Sequence, residues 1–149
     1  MTTQGGHAVS GLEDLEAIRR LTFEYAMAID TMQLDALVDL FLPEAVLDHG
    51  PGDVPVANNR DEIRDFFKTV FEGSRNLFHL TSNNIIDVDG DAATGTVYYQ
   101  VAGVTSEGAS FGLNGYYADI YALTGDGWKF RRREVVLLLD LGDIDQAKG

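Results

Sequence analysis

The apolar positions of this chain change period once, and the change divides it into two kinds of structure. From Leu12 through Leu15, Ile18, Leu21, Tyr25 and Ile29 they recur at helical spacing, with charged residues between them. Ser10-Gly11-Leu12-Glu13 has the form of a capping box, with Ser10 as N-cap and Glu13 reaching back. The pattern predicts a first helix over residues 11–29. A second helical stretch, residues 33–41, carries Leu34, Leu37, Val38 and Phe41, and Pro43 stops it. Residues 45–49 read as a short strand, and Gly50-Pro51-Gly52-Asp53-Val54-Pro55 is a loop by its breakers. Asn59-Arg60-Asp61-Glu62 is a second capping-box signal. The helix it opens carries Ile63, Phe66, Phe67 and Val70, and Gly73 closes it.

From Leu77 onward β-rich stretches take over, at about 77–87, 92–106, 109–123 and 128–141. Asp89-Gly90, Glu107-Gly108 and Gly125-Asp126-Gly127 separate them, each a hairpin signal. Three helices followed by a long antiparallel meander indicate the α+β class, with the helices covering one face of the sheet. A strongly curved sheet under helices leaves a cone-shaped, mostly apolar cavity. The other face carries alternating apolar and β-branched residues that the helices cannot also cover, which predicts a homodimer or homotrimer packed through the sheet.

Composition narrows the classes. A chain of 149 residues, 45% apolar, is expected to form one domain with a real core, preceded by a flexible leader (residues 1–10) and followed by a flexible tail (residues 142–149). The absence of cysteine excludes disulfides, zinc-thiolate sites and thiol nucleophiles. The leader is polar and glycine-rich without an apolar core, no apolar run approaches a membrane span, and a cytoplasmic location is expected. A net charge of −13 repels phosphate backbones and anionic lipid, so neither nucleic acid nor membrane is an expected partner.

Two residues carry the candidate chemistry. Asp30 ends the first helix, where a carboxylate faces the negative end of the macrodipole and helix stability does not favour it. His79 lies in the apolar strand segment Leu77-Phe78-His79-Leu80. Brought together, the carboxylate would fix the imidazole tautomer and raise its basicity, making a general base that works near neutral pH. Asp30 also has a structural reading, because Asp30-Thr31-Met32-Gln33 can itself cap the second helix. Tyr25 sits on the apolar stripe of helix 1, where packing alone would account for it. His49 shares the parity of Ala45 and Leu47 and so points with them toward the cavity, or lies at a loop edge. Arg131-Arg132-Arg133 alternates across the last strand, and parity places Arg133 inward with Val135, as a structural ion pair or a substrate contact. Tyr99 and Tyr117 read as sheet filler or as cavity polar groups. Asp87-Val88-Asp89-Gly90-Asp91 is a hairpin turn rather than a calcium loop, since its glycine stands at the fourth position and no glutamate follows at the twelfth.

The order of two helices, Phe41-Leu42-Pro43-Glu44-Ala45, a strand, a capped helix and a meander ending Gly127-Trp128-Lys129-Phe130 resembles the SnoaL-like branch of the nuclear transport factor 2-like superfamily. Tyr25-x4-Asp30 followed by His79 is similar to the pattern of scytalone dehydratase, bile acid 7α-dehydratase and hexachlorocyclohexane dehydrochlorinase. The resemblance implies a cone-shaped α+β barrel, homo-oligomers, and elimination from a small alicyclic or polycyclic substrate by an aspartate-histidine dyad without metal or organic cofactor. It implies Asp30 and His79 as the dyad and Tyr25 as a catalytic tyrosine. His49, Tyr117, Arg133 and Tyr99 become candidate substrate contacts. Two polar positions of the relatives fall near Gly103 and Val101, which leaves the third strand less polar here. The expected function is a cofactor-independent lyase of the dehydratase type. An isomerase or polyketide cyclase of the same fold is the nearest alternative, and a non-catalytic small-molecule-binding module is the second.

Overall fold

Two helices, a strand and a third helix precede a four-stranded meander, and the first strand of the chain lies beside the last in one five-stranded sheet. The computed structural model describes the backbone of residues 4–147 and the side chains of residues 11–144. The elements are α1 (Gln4–Asp30), α2 (Leu34–Asp39), β1 (Phe41–Asp48), α3 (Arg60–Glu72), β2 (Ser74–Asp89), β3 (Ala92–Thr105), β4 (Ser110–Thr124), β5 (Gly127–Asp140) and α4 (Leu141–Ala147). β1 pairs parallel to β5, while the four long strands form an antiparallel meander. The sheet is mixed, curled and not closed, and the N-terminal helices fill its concave face. This is the α+β cone that the change of period predicts.

Several boundaries differ from the sequence expectation. α1 begins at Gln4, so Ser10 lies inside it rather than at its start. A cap signal is worth only about 1 kcal/mol and does not stop a helix that can propagate past it. Leu12 belongs to the apolar spacing yet is 66% exposed, and the buried stripe begins with Ile18. α2 ends at Asp39, and Phe41 and Pro43 belong to β1. β1 is an edge strand, and its pairing with β5 is irregular between Phe41 and Val46, so a proline there removes no ladder bond that the sheet needs. Parts of the leader and tail lie outside the described residues, and the rest continues α1 or forms α4.

Two local devices behave as their residues dictate. α1 ends in a Schellman motif. Met32 takes a positive φ of 54°, its N–H donates to the Ile29 carbonyl, and the Gln33 N–H donates to the Ala28 carbonyl. α3 is capped by Asn59, whose side chain accepts the Glu62 N–H at 2.9 Å, while the Glu62 carboxylate returns to the N–H of Asn58. The core between helices and sheet is built from Ile18, Leu21 and Tyr25 of α1, Leu37 of α2, Ile63 and Phe67 of α3, and inward residues such as Phe41, Val97, Tyr121 and Phe130.

Candidate active site

The Schellman turn leaves Asp30 in the last turn of α1, and β2 runs directly past it. Oδ1 of Asp30 lies 2.6 Å from Nδ1 of His79, and Oδ2 accepts the His79 backbone N–H at 2.8 Å. One carboxylate thus holds both the ring and the main chain of the same residue. It does not cap α2, whose N-cap is Gln33 and has no side-chain cap bond. The repulsion between Asp30 and the helix dipole is offset by two charge-assisted hydrogen bonds.

His79 stands in a wall. His79 lines a cavity of about 180 Å³ that is open on one side, whereas Asp30 does not. On the opposite side Asp30 and His79 share a shallow outer depression with Phe23, Met27 and Leu80. With Nδ1 engaged by the carboxylate as acceptor, the free position of the neutral ring is Nε2. Burial lowers the His79 pKa from its ordinary 6.5 and outweighs the raising effect of the Asp30 hydrogen bond and charge; Arg133 adds a smaller lowering push. The carboxylate therefore does not raise the net basicity above the ordinary value, as the sequence led one to expect. It opposes the desolvation in part, and the imidazole is neutral near pH 7.

The cavity is mostly apolar, with Ile29, Phe66, Leu77, Val101, Phe111 and Val135 among its lining residues. Its polar groups are few. Tyr25 lines it from α1, with its ring edge-on to Phe41, Phe67, Tyr117 and Phe130. Burial pushes the Tyr25 pKa up to about 12 against the lowering effect of Arg133, so its phenol stays protonated. Tyr117 and Tyr99 line it from the sheet and stack at 4.6 Å, and burial raises both hydroxyl pKa values. His49, just past β1, lines the cavity with its ring 4.4 Å from that of Phe66. Burial lowers its pKa to about 4 despite the charge of Asp48, so it is a neutral hydrogen-bonding group at pH 7.

Arg133 is placed differently. Parity puts it inside, and it is fully buried, but it does not line the cavity. Its Nε and one terminal nitrogen bond both oxygens of Asp119 at 2.8 and 2.7 Å. The guanidinium carbon lies 3.8 Å from the Tyr117 ring centroid and 4.3 Å from those of Tyr25 and Phe130. Nη1 has no hydrogen-bond partner, and these aromatic faces supply its stabilisation instead. Of the two readings of Arg133, the structural ion pair is the arrangement observed, and the side chain stands outside the cavity lining. The sequence reading passed over Asp119, which also accepts the Tyr121 hydroxyl at 2.6 Å. Asp119 shares strand parity with Tyr117 and Tyr121, but the turn alone would set it opposite Arg132; the register shift between Ile120 and Tyr121 makes Arg133 its partner.

The space that a polar side chain from position 103 would need is filled. A Cβ on Gly103 would lie 2.5 Å from the Phe111 ring, and Val101 beside it presents only methyl groups. Among the described residues no group of three or more His, Asp or Glu side chains could hold a metal ion, and no helix is long and apolar enough to cross a membrane.

Comparison with known proteins agrees with the fold. The SnoaL-like domain model matches residues 10–134. No curated protein matches the chain in sequence. Among solved structures, one from Novosphingobium aromaticivorans, provisionally described as an aromatic ring hydroxylase, is 32% identical over 86% of this chain and 91% of its own, with a TM-score of 0.82. A second protein of that organism, provisionally described as a scytalone dehydratase, is 24% identical over 89% of each chain, with a TM-score of 0.83. A hexachlorocyclohexane dehydrochlorinase from Novosphingobium barchaimii has 17% identity over 89% of this chain and 92% of its own, with a TM-score of 0.80. At these lower identities the last two establish a common fold.

Proposed function

The chain belongs to the SnoaL-like domain family, and from that premise we propose that it is a cofactor-independent lyase acting on a small hydrophobic ring compound, with Asp30 and His79 as its general-base dyad. The observation that carries this reading is the position of His79, held at Nδ1 by Asp30 on one side and lining the cavity on the other. In the proposed reaction Nε2 of His79 removes a proton from a ring carbon. The C–H electron pair forms the new double bond as the C–O bond breaks, and the histidine returns its proton to the departing oxygen, which leaves as water. Asp30 orients the ring and stabilises the imidazolium that forms transiently. Tyr25, protonated at neutral pH, donates a hydrogen bond to the departing oxygen or to a carbonyl that activates the C–H bond. Tyr117, Tyr99 and His49 position the substrate. Arg133, paired with Asp119, holds the tyrosine rings and is a structural support.

An isomerase or cyclase would use the same base and the same hydroxyls without a leaving group. Mass spectrometry after incubation with cyclic β-hydroxy ketones tests the choice. Loss of the mass of water, dependent on His79, is the expected result. A product of unchanged mass would assign isomerisation instead, and tight binding without turnover in wild type would assign a binding module.

A further inference from the structure

We propose that the cavity selects a neutral molecule with a single six-membered ring carrying a carbonyl or hydroxyl group. The proposal rests on reading this cavity as the reaction site, and it concerns which molecule enters rather than what happens to it.

Size is the first argument. An apolar cavity of roughly 150 Å³ accepts one benzene ring. At about 180 Å³ the cavity here, open on one side, has room for one ring and one small polar substituent, and a fused four-ring skeleton would have to stand largely outside it. Phe111 sets this limit on one side by lying over Gly103.

Charge is the second. No Lys, Arg, Asp or Glu lines the cavity. The nearest buried cation, Arg133, has its charge matched by Asp119 and is screened by the Tyr25 and Tyr117 rings. A carboxylate brought into this space would lose its hydration and meet no free positive group, which is strongly unfavourable. An ammonium would likewise lose its hydration and meet no carboxylate on the cavity wall, and two of the lining aromatic faces, Tyr25 and Tyr117, already hold the Arg133 guanidinium. The polar partners that remain are His79, His49, the tyrosine hydroxyls and the Ser74 hydroxyl, which donates to the Val70 carbonyl; all are neutral, and all are suited to a carbonyl or hydroxyl.

Calorimetry or ligand-observed NMR on the full chain tests the proposal with cyclohexanone, cyclohexanecarboxylate, cyclohexylamine and a four-ring steroid ketone. Cyclohexanone is expected to bind at least about tenfold more tightly than either charged analogue, and the steroid ketone is expected not to displace it. Equal or tighter binding of the carboxylate or the amine, displacement by the steroid, or no detectable binding of cyclohexanone at millimolar concentration would overturn it. Phe111→Ala should admit a two-ring ketone that wild type rejects, and Val101→Ala provides the same test should the first variant fail to fold. Unaltered selectivity in both, when folded, also counts against the proposal. The same panel applied to His79→Ala separates the two readings. If the preference for the neutral ring persists there, and wild type binds 3-hydroxycyclohexanone without releasing water from it, the lyase reading fails while this inference stands.

Discussion

Asp30 spends both carboxylate oxygens on one residue, and removing its charge should therefore register first in His79. The acid limb of the kcat/KM profile is expected below pH 6.5, because burial depresses the His79 pKa and the rate rises as the ring loses its proton. Asp30→Asn removes the two contributions that raise that pKa, so the limb should move to still lower pH while the plateau falls. An unchanged profile and plateau would remove Asp30 from the mechanism. His79→Ala is expected to cost about 10²–10⁴ in turnover; Tyr25→Phe should cost less and leave the limb in place. His49 gives a stability test. Its pKa falls from 6.5 unfolded to about 4 folded, so the unfolded chain takes up the proton first as the pH drops. Its contribution is complete above about pH 6.5 and is lost on descent to about pH 4, on the order of 3 kcal/mol in all. The urea midpoint of wild type should therefore fall relative to that of His49→Phe as the pH drops through this window, and parallel curves would show the imidazole titrating freely. The pairing of Asp30 with His79 was legible through the family resemblance, since Asp30 taken alone could equally cap the second helix, and Tyr99 and Tyr117 taken alone read as sheet filler. The Asp119 pair was not read, since it becomes visible only when two strands are set in register.

At the scale of elements, turns were read better than ends. The three hairpins fall where their glycines stand, with Gly90, Gly108 and Gly127 at positive φ of 61°, 93° and 97°. Helix ends and strand starts were less legible, because a capping signal is a weak local preference and an edge strand tolerates a proline that would stop a helix. Asn59→Ala should lower stability by about 1 kcal/mol through loss of the α3 cap, measurable as a lower denaturant midpoint. Gly115 is a stricter position. A Cβ there would lie 1.9 Å from the Val136 carbonyl oxygen and 2.9 Å from the Tyr99 hydroxyl, at the irregular pairing of β4 with β5. Gly115→Ala is expected to cost at least about 1–3 kcal/mol and to disturb Tyr99; a melting temperature equal to wild type would show that β5 can shift freely.

For the whole molecule, the convex face of the sheet is the unfinished surface. Phe78 is 58% and Leu80 52% exposed, and Tyr98 stacks on Tyr116 across neighbouring strands on the same face. We propose that a second copy covers this face, as a homodimer or homotrimer. Each chain carries −13, so association should strengthen with salt as the repulsion is screened. Light scattering at micromolar concentration should give at least twice the 16.3 kDa chain mass, and a monomeric mass at both low and high salt would refute the assembly. The union of α1 and β2 at Asp30 has a consequence for how such a molecule can be watched. The His79 amide proton is donated to the same carboxylate that holds the ring, at 2.8 Å. In a nitrogen–proton correlation spectrum its cross-peak should sit far downfield and shift as the imidazole gains or loses its proton, so a main-chain nucleus becomes a resident indicator of the charge state of the pair.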